Sequence, residues 1–313
     1  MKKMYFFAAM LAAAVFTSCD KNQESCPTCP KDPDAPTLRV VPTLESGSRA
    51  GFSPKESWQA NDAIGLFVYK STGWGTAYPG YTTVNNKSTK GSSSWVQETP
   101  IYLSAEQAKV WAYFPYSSSV ANGTQVPVSI TSATPDYMWG ESSNLVSVVS
   151  SDATIPMKHA LSQLTIRLKP SPNYHGNQGL LTSAKIKAKS PKFGTTGTMD
   201  ISNSGRITFT PSLTEMAWAP NTSIPAAGRP SVDFNAAIFP MSLAQSEVVL
   251  EVVIDGAKYK YDIPQGSWVA GKRHVYSIVM EKNDASIGGD NGLGVTIEPW
   301  SSEESDIPLV PIK

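Results

Sequence analysis

The chain has 313 residues, with 26 Lys and Arg against 26 Asp and Glu, and only 17% of it is charged. A formal charge of zero leaves no basic excess to gather phosphates, which excludes nucleic acid as a partner, and no acidic excess to keep a chain unfolded. Polarity rests instead on Ser, Thr, Asn and Gln; with 24 Pro, 22 Gly and 10% aromatic residues, this composition favours strands joined by turns.

Lys2 and Lys3 precede an unbroken apolar run over residues 4–16, too short to span a bilayer but suited to the core of a secretory signal. The run ends in Phe16-Thr17-Ser18-Cys19, which looks like a bacterial lipobox. Residues 1–18 are therefore expected to be a signal peptide, and Cys19 to be acylated and held in outer-membrane lipid. Loss of two lysines and no acid leaves 24 − 26 = −2 formal charges on the exported chain. Residues 19–36 form a Pro-rich tether. Its Cys26-Pro27-Thr28-Cys29 pair is read as a small exported disulfide or incidental thiols, since such a tether buries no active site.

Beyond the tether come short extended runs. Residues 63–69 and 110–114 are apolar nearly throughout, as strands covered on both faces are. Val126, Val128 and Ile130 alternate with polar or turn residues; so do Leu164, Ile166 and Leu168, then Ala184, Ile186 and Ala188. Asp255-Gly256 separates the runs 248–254 and 258–263, a strong hairpin signal. Runs at 275–280 and 293–297 follow. Residues 104–109 and 213–217 are the two places where a helical turn is expected, and residues 129–156 read as a polar, weakly patterned loop. The expectation is a mostly-β chain of antiparallel sandwiches, one over residues 37–156 and one over 157–313.

Enzyme chemistry finds no footing. There is no G-x-S-x-G elbow, no H-E-x-x-H and no phosphate-cradling loop, and His159, His175 and His274 share no metal-binding spacing. No cofactor, metal or catalytic residue is expected. His159 reads as a histidine tying a strand end to a neighbouring backbone. Trp74, between two glycines, and Trp95, after three serines, are candidates for exposed glycan-stacking faces, which keeps a surface-tethered glycan-binding lipoprotein as the alternative function.

Several motifs together resemble the fimbrillins of Bacteroidales, the type V pilins and their Mfa-like relatives. They are Cys19, Ser48-Arg49-Ala50, the stretch from Trp58 through Asp62 to Phe67, Val110-Trp111-Ala112-Tyr113-Phe114-Pro115, Met157-Lys158-His159-Ala160-Leu161, Gly271-Lys272-Arg273-His274-Val275-Tyr276, and Val295 to Trp300. The resemblance implies two transthyretin-like β-sandwich domains in tandem and a pilus subunit at the cell surface, exported as a lipoprotein. It further implies cleavage by an arginine-specific protease at Arg49-Ala50, removing the strand over residues 38–44. An extended segment of another subunit then fills the groove, from the Leu293, Val295 and Ile297 run or from Ile307, Leu309 and Ile312. Pro308 and Pro311 weaken continuous pairing of the second candidate. Other pilus subunits, and a host or bacterial surface glycan or protein, are the partners it implies.

Overall fold

The computed structural model describes residues 36–44, 55–81, 84–131, 133–170, 180–223, 231–254, 256–281, 284–286 and 294–299. The strands of the first half are Arg39–Leu44 (β1), Ala63–Lys70 (β2), Asn86–Lys90 (β3), Trp95–Gln97 (β4), Ala108–Phe114 (β5), Val126–Ser129 (β6), Met138–Glu141 (β7) and Asp152–His159 (β8). Those that follow are Ser162–Pro170 (β9), Leu180–Ala188 (β10), Thr196–Asp200 (β11), Arg206–Thr208 (β12), Glu215–Trp218 (β13), Thr222–Ser223 (β14) and Val232–Ile238 (β15). Met241–Leu243 (β16), Val248–Ile254 (β17), Ala257–Asp262 (β18), Gly266–Trp268 (β19), Lys272–Glu281 (β20), Asp284–Ser286 (β21) and Gly294–Pro299 (β22) complete the order. The mostly-β expectation holds.

The largest sheet runs β1-β8-β7-β5-β2-β3-β4. Its central strands are covered on both sides, as their unbroken apolar sequences require. On β2, Ile64, Leu66 and Val68 enter one core with Val110 and Ala112 of β5, while Phe67 enters the other with Trp111 and Tyr113. The first core draws only on residues before 158. The second continues through Val126 and Val128 into Leu164, Ile166, Leu250 and Trp268, so one apolar cluster links the halves of the chain. A three-stranded sheet, β12-β11-β6, joins them as well, because β6 pairs with β11.

Two sheets face each other over that second core: β13-β10-β17-β18, with β14 also on β10, and β15-β9-β20, with β21 and β22 both on β20. Leu164, Ile166 and Leu168 of β9 turn inward, and Gln163, Thr165 and Arg167 turn to the other face, the two-residue period read from the sequence. Arg167 forms a two-pronged bond to Asp233 of β15, at 2.7 and 2.8 Å. The expected hairpin is present between β17 and β18, in register Ile254↔Ala257, and Gly256 takes the left-handed φ of +81° that its turn demands. Among the described residues pairing is antiparallel except at two places, β1 on β8 and β9 on β20.

Three local expectations fail. Residues 104–109 are not helical: the Ser104 N–H and hydroxyl meet the Tyr78 hydroxyl, at 2.8 and 3.1 Å, and β5 starts at Ala108. Residues 213–217 run into β13, where Glu215 meets Lys185 of β10 at 2.9 Å and Met216 turns inward. The polar stretch 129–156 holds β7 and most of β8. Gly140 lies within β7, where an added Cβ would meet the Pro156 carbonyl oxygen at 2.6 Å; the glycine permits close backbone approach.

At the start of β20, the buried His274 ring accepts the Val269 N–H at Nε2, 2.9 Å, stapling the turn whose Gly271 lies at φ +67°. Burial pushes the His274 pKa down from 6.5 to about 4. Between those values the unfolded chain binds a proton that the folded chain refuses. This contribution to stability is whole above pH 6.5 and shrinks as the pH falls toward 4, by about 3 kcal/mol at most. Urea midpoints measured across that window should fall on acidification in the parent and stay flatter in His274→Gln, which keeps an acceptor but does not titrate; parallel curves would show that another group is responsible.

Candidate functional site

The feature of this body that most resembles a working part is its first strand. β1 alternates cleanly: Leu38, Val40 and Pro42 are buried, and Arg39, Val41 and Thr43 are exposed. Leu38 and Val40 join Ile64, Leu66, Ala153, Ile155 and Met157 in the first core. Leu38 and Val40 each contribute about 1.5–3 kcal/mol through burial alone.

The two flanks of β1 are held differently. On one side it runs parallel to β8, in continuous register from Arg39↔Asp152 to Leu44↔Met157. On the other, the sheet curls round until its far edge comes alongside, and main-chain pairing there is brief. The Leu38 N–H donates to the Ile101 carbonyl at 2.8 Å, the Leu103 N–H to the Pro36 carbonyl at 2.9 Å, and Thr37 bridges Tyr102. Beyond that point side chains replace the ladder. The Gln97 amide donates to the Leu38 carbonyl at 2.7 Å, and the Trp58 indole N–H to the Pro42 carbonyl at 3.0 Å. Pro42 offers no N–H of its own, as suits a strand whose second flank is not a full ladder. The ion pair Arg39–Asp152 at 3.1 Å is largely exposed and adds little. β1 is therefore the staple of a seam between β8 and β4. Lifting it out would leave main-chain groups of β8 unpaired above bare apolar core.

The chain that follows β1 is anchored where it re-enters the body. The Lys55 N–H donates to the Asp136 carboxylate at 2.6 Å, and that carboxylate also meets Nδ1 of His159, at 2.9 and 3.0 Å. His159 is thus tied to a buried carboxylate, not to a backbone group as the sequence suggested. The Lys55 ammonium meets Asp62 at 2.8 Å and lies 5.1 Å from the Phe114 ring. Trp58 packs edge-on against Trp95, with ring centroids 5.0 Å apart.

Of the residues singled out in the sequence, Cys19, Arg49, Ala50, Leu293, Ile307, Leu309 and Ile312 lie outside the described residues. Val295 and Ile297 lie in β22, opposite Tyr276 and His274 of β20, so that segment is engaged in the sheet of its own molecule. Trp74 and Trp95 are half-buried and do not stand out as flat platforms. Trp74 is wedged among Phe67, Tyr69 and Trp111, at 5.5, 4.8 and 5.2 Å. Among the described residues, no group of three His, Cys, Asp or Glu is placed to hold a metal ion. Trp58 and Gln97, which carry the free flank of β1, were not picked out as its partners; nothing local in the sequence couples either to a strand some 16 or 59 residues away.

A Bacteroides uniformis protein bearing the name "Putative fimbrium subunit Fim1C" is 23% identical to this chain, over 96% of each. Among solved structures, a "putative cell adhesion protein" from Bacteroides ovatus superposes with a TM-score of 0.62 at 16% identity, covering 86% of this chain and 99% of its own. A fimbrial protein from Bacteroides vulgatus does so with a TM-score of 0.60 at 14% identity, over 85% and 99%. At such identities the structures speak for the fold. The fimbrillin-like family model matches residues 48–300, and this chain belongs to that family.

Proposed function

We propose that this protein is a pilus subunit, made as a lipoprotein precursor whose signal peptide, residues 1–18, is removed so that Cys19 is acylated in the outer membrane. An arginine-specific protease then cuts between Arg49 and Ala50. The cut releases β1 with the lipid anchor, and an extended segment of another subunit takes its place on β8, moving the chain from the membrane into the fimbrium by strand addition. The observation that carries this reading is the lopsided hold on β1: a full ladder on one side, two side-chain donors along most of the other. The family match also begins at Ser48, after β1 and just before Arg49. The order of the chain supports it too, since Arg49 lies between β1 and the anchored re-entry at Lys55. For the donor, the segment bearing Ile307, Leu309 and Ile312 is favoured over Val295 and Ile297, which would have to leave β20 first. The two sandwiches, expected over residues 37–156 and 157–313, would then divide within the last residues of β8, which runs on to His159 before β9 opens the next sheet at Ser162. The chain's task is assembly, with adhesion to a surface glycan or protein as the finished polymer's.

Replacing Arg49 by Ala tests the scheme. Surface extracts of a strain carrying only the variant should lose the SDS-resistant ladder on immunoblots, and full-length lipidated precursor should accumulate. An undiminished ladder would remove Arg49 from the scheme.

A further inference from the structure

A second open seam lies in the other half of the molecule. β13 is the end strand of one of the two facing sheets and β15 the end strand of the other, and residues of both line one groove. β13 pairs only with β10 and β15 only with β9; among the described residues no backbone bond leaves either strand on its outer side. Between them opens a groove of about 880 Å³. Leu213, Met216, Trp218, Phe234, Ala236 and Ile130 supply its apolar lining, and the Trp218 and Phe234 rings lie 6.4 Å apart. Unpaired main-chain groups beside apolar wall describe a berth for an extended peptide, and aromatic walls suit one containing proline.

We infer that the occupant is the C-terminal segment of the same molecule, Ile307-Pro308-Leu309-Val310-Pro311-Ile312. Where the described chain ends makes the connection short. Pro299 is in register with Lys272, and the adjacent Arg273 lines up with Gln163 and then Ala237. The end of β22 is thus three strands across from the groove end of β15, about 14 Å at the usual strand spacing. Residues 300–306 span about 23 Å when extended. They are Trp-Ser-Ser-Glu-Glu-Ser-Asp, hydrophilic after the tryptophan, and the six residues that follow are wholly apolar or proline. The sheet along that path carries buried polar atoms that are without a partner among the described residues. Gln163 is fully buried with neither amide atom bonded among the described residues, and the Asn235 amide nitrogen is likewise unbonded. With the Ile307 and Leu309 N–H groups turned to β15, Pro308 faces the side where no ladder is needed, and the ladder ends before Pro311, which falls on the β15 side and has no N–H to give. The docked segment closes the groove in the free subunit, whether or not it is later donated to another.

Disulfide trapping tests this on the exported chain carrying Cys19→Ser, Cys26→Ser and Cys29→Ser. Ala217, exposed on β13 and lining the groove, is replaced by Cys together with Leu309→Cys. The control places the first cysteine at Val149, which is 92% exposed in the other half. Under mild oxidation the 217–309 pair should close within single chains, about tenfold more than the 149–309 control, as a tethered ligand at its site does. Yield equal to the control overturns the inference. So does a 217–309 bond found only between two chains, which would mean that the groove receives a second copy. Independently, truncation after Asp306 should speed amide exchange over Glu215–Trp218 and Val232–Ile238 by about tenfold, and synthetic peptide of residues 307–313 should restore it. Unchanged exchange would also overturn it.

Discussion

Val40→Asp should unseat β1. The side chain is 5% exposed among Ile64, Leu66, Ile155 and their neighbours, where a carboxylate finds neither water nor a partner. The expected cost is about 4 kcal/mol. Because β1 is an end strand with one complete ladder, the cheapest escape is for it to leave while the rest of the sheet stays folded. Two readouts should therefore separate. β1 and the facing edge of β8 should lose amide protection, and the core should become accessible to a hydrophobic dye, while the second half keeps its unfolding midpoint. The neighbouring Val41→Asp, at a position already 42% exposed, should change stability by no more than about 0.5 kcal/mol. Equal effects of the two substitutions would mean that β1 does not seal the core.

A comparable loss is expected at Gly65, within β2. The Tyr113 ring of the adjoining strand lies directly across this glycine, and its hydroxyl donates to Asn85 Oδ1 at 2.8 Å while receiving the Ser117 N–H at 3.2 Å. A Cβ at position 65 would run into the ring, and its next neighbour is Asn85 Oδ1. Tyr113 is fully buried and cannot step aside without giving up those bonds. Gly65→Ala should cost about 3 kcal/mol. A double-mutant cycle identifies the cause. Tyr113→Ala alone should also be costly, about 3–5 kcal/mol, but Gly65→Ala added to it should cost less than about 1 kcal/mol. Additive losses would mean that the glycine serves the backbone and not the ring.

Periodicity carried the sequence reading wherever a strand pairs with its own neighbour or shows both faces. β9, β17 and β18 announce themselves by alternation and by Asp255-Gly256, and β2 and β5 by having no polar face. It failed where contacts are distant. β7 is four residues long and contains a glycine, and only its place between β5 and β8 makes it a strand. The helical turn expected at 213–217 is overruled by β10, some thirty residues earlier, whose backbone ladder runs from Lys187↔Glu215 to Ala184↔Trp218. The same limit applies to the seam. The strand over residues 38–44 and the arginine after it came with the family resemblance, not with a periodicity read from the residues. That β1 lies parallel to β8, and that Trp58 and Gln97 carry its other side, depends on chain closure across the whole first half. The groove between β13 and β15 was not legible either, since it exists only once two sheets have been laid face to face.

The account is tested most directly by isolating the protein from surface polymers and determining its first residue and intact mass. A chain that starts at Ala50 without lipid, in polymers that survive SDS, is the predicted result. Polymers built from chains that still begin at acylated Cys19, with residues 38–44 in place, would contradict it.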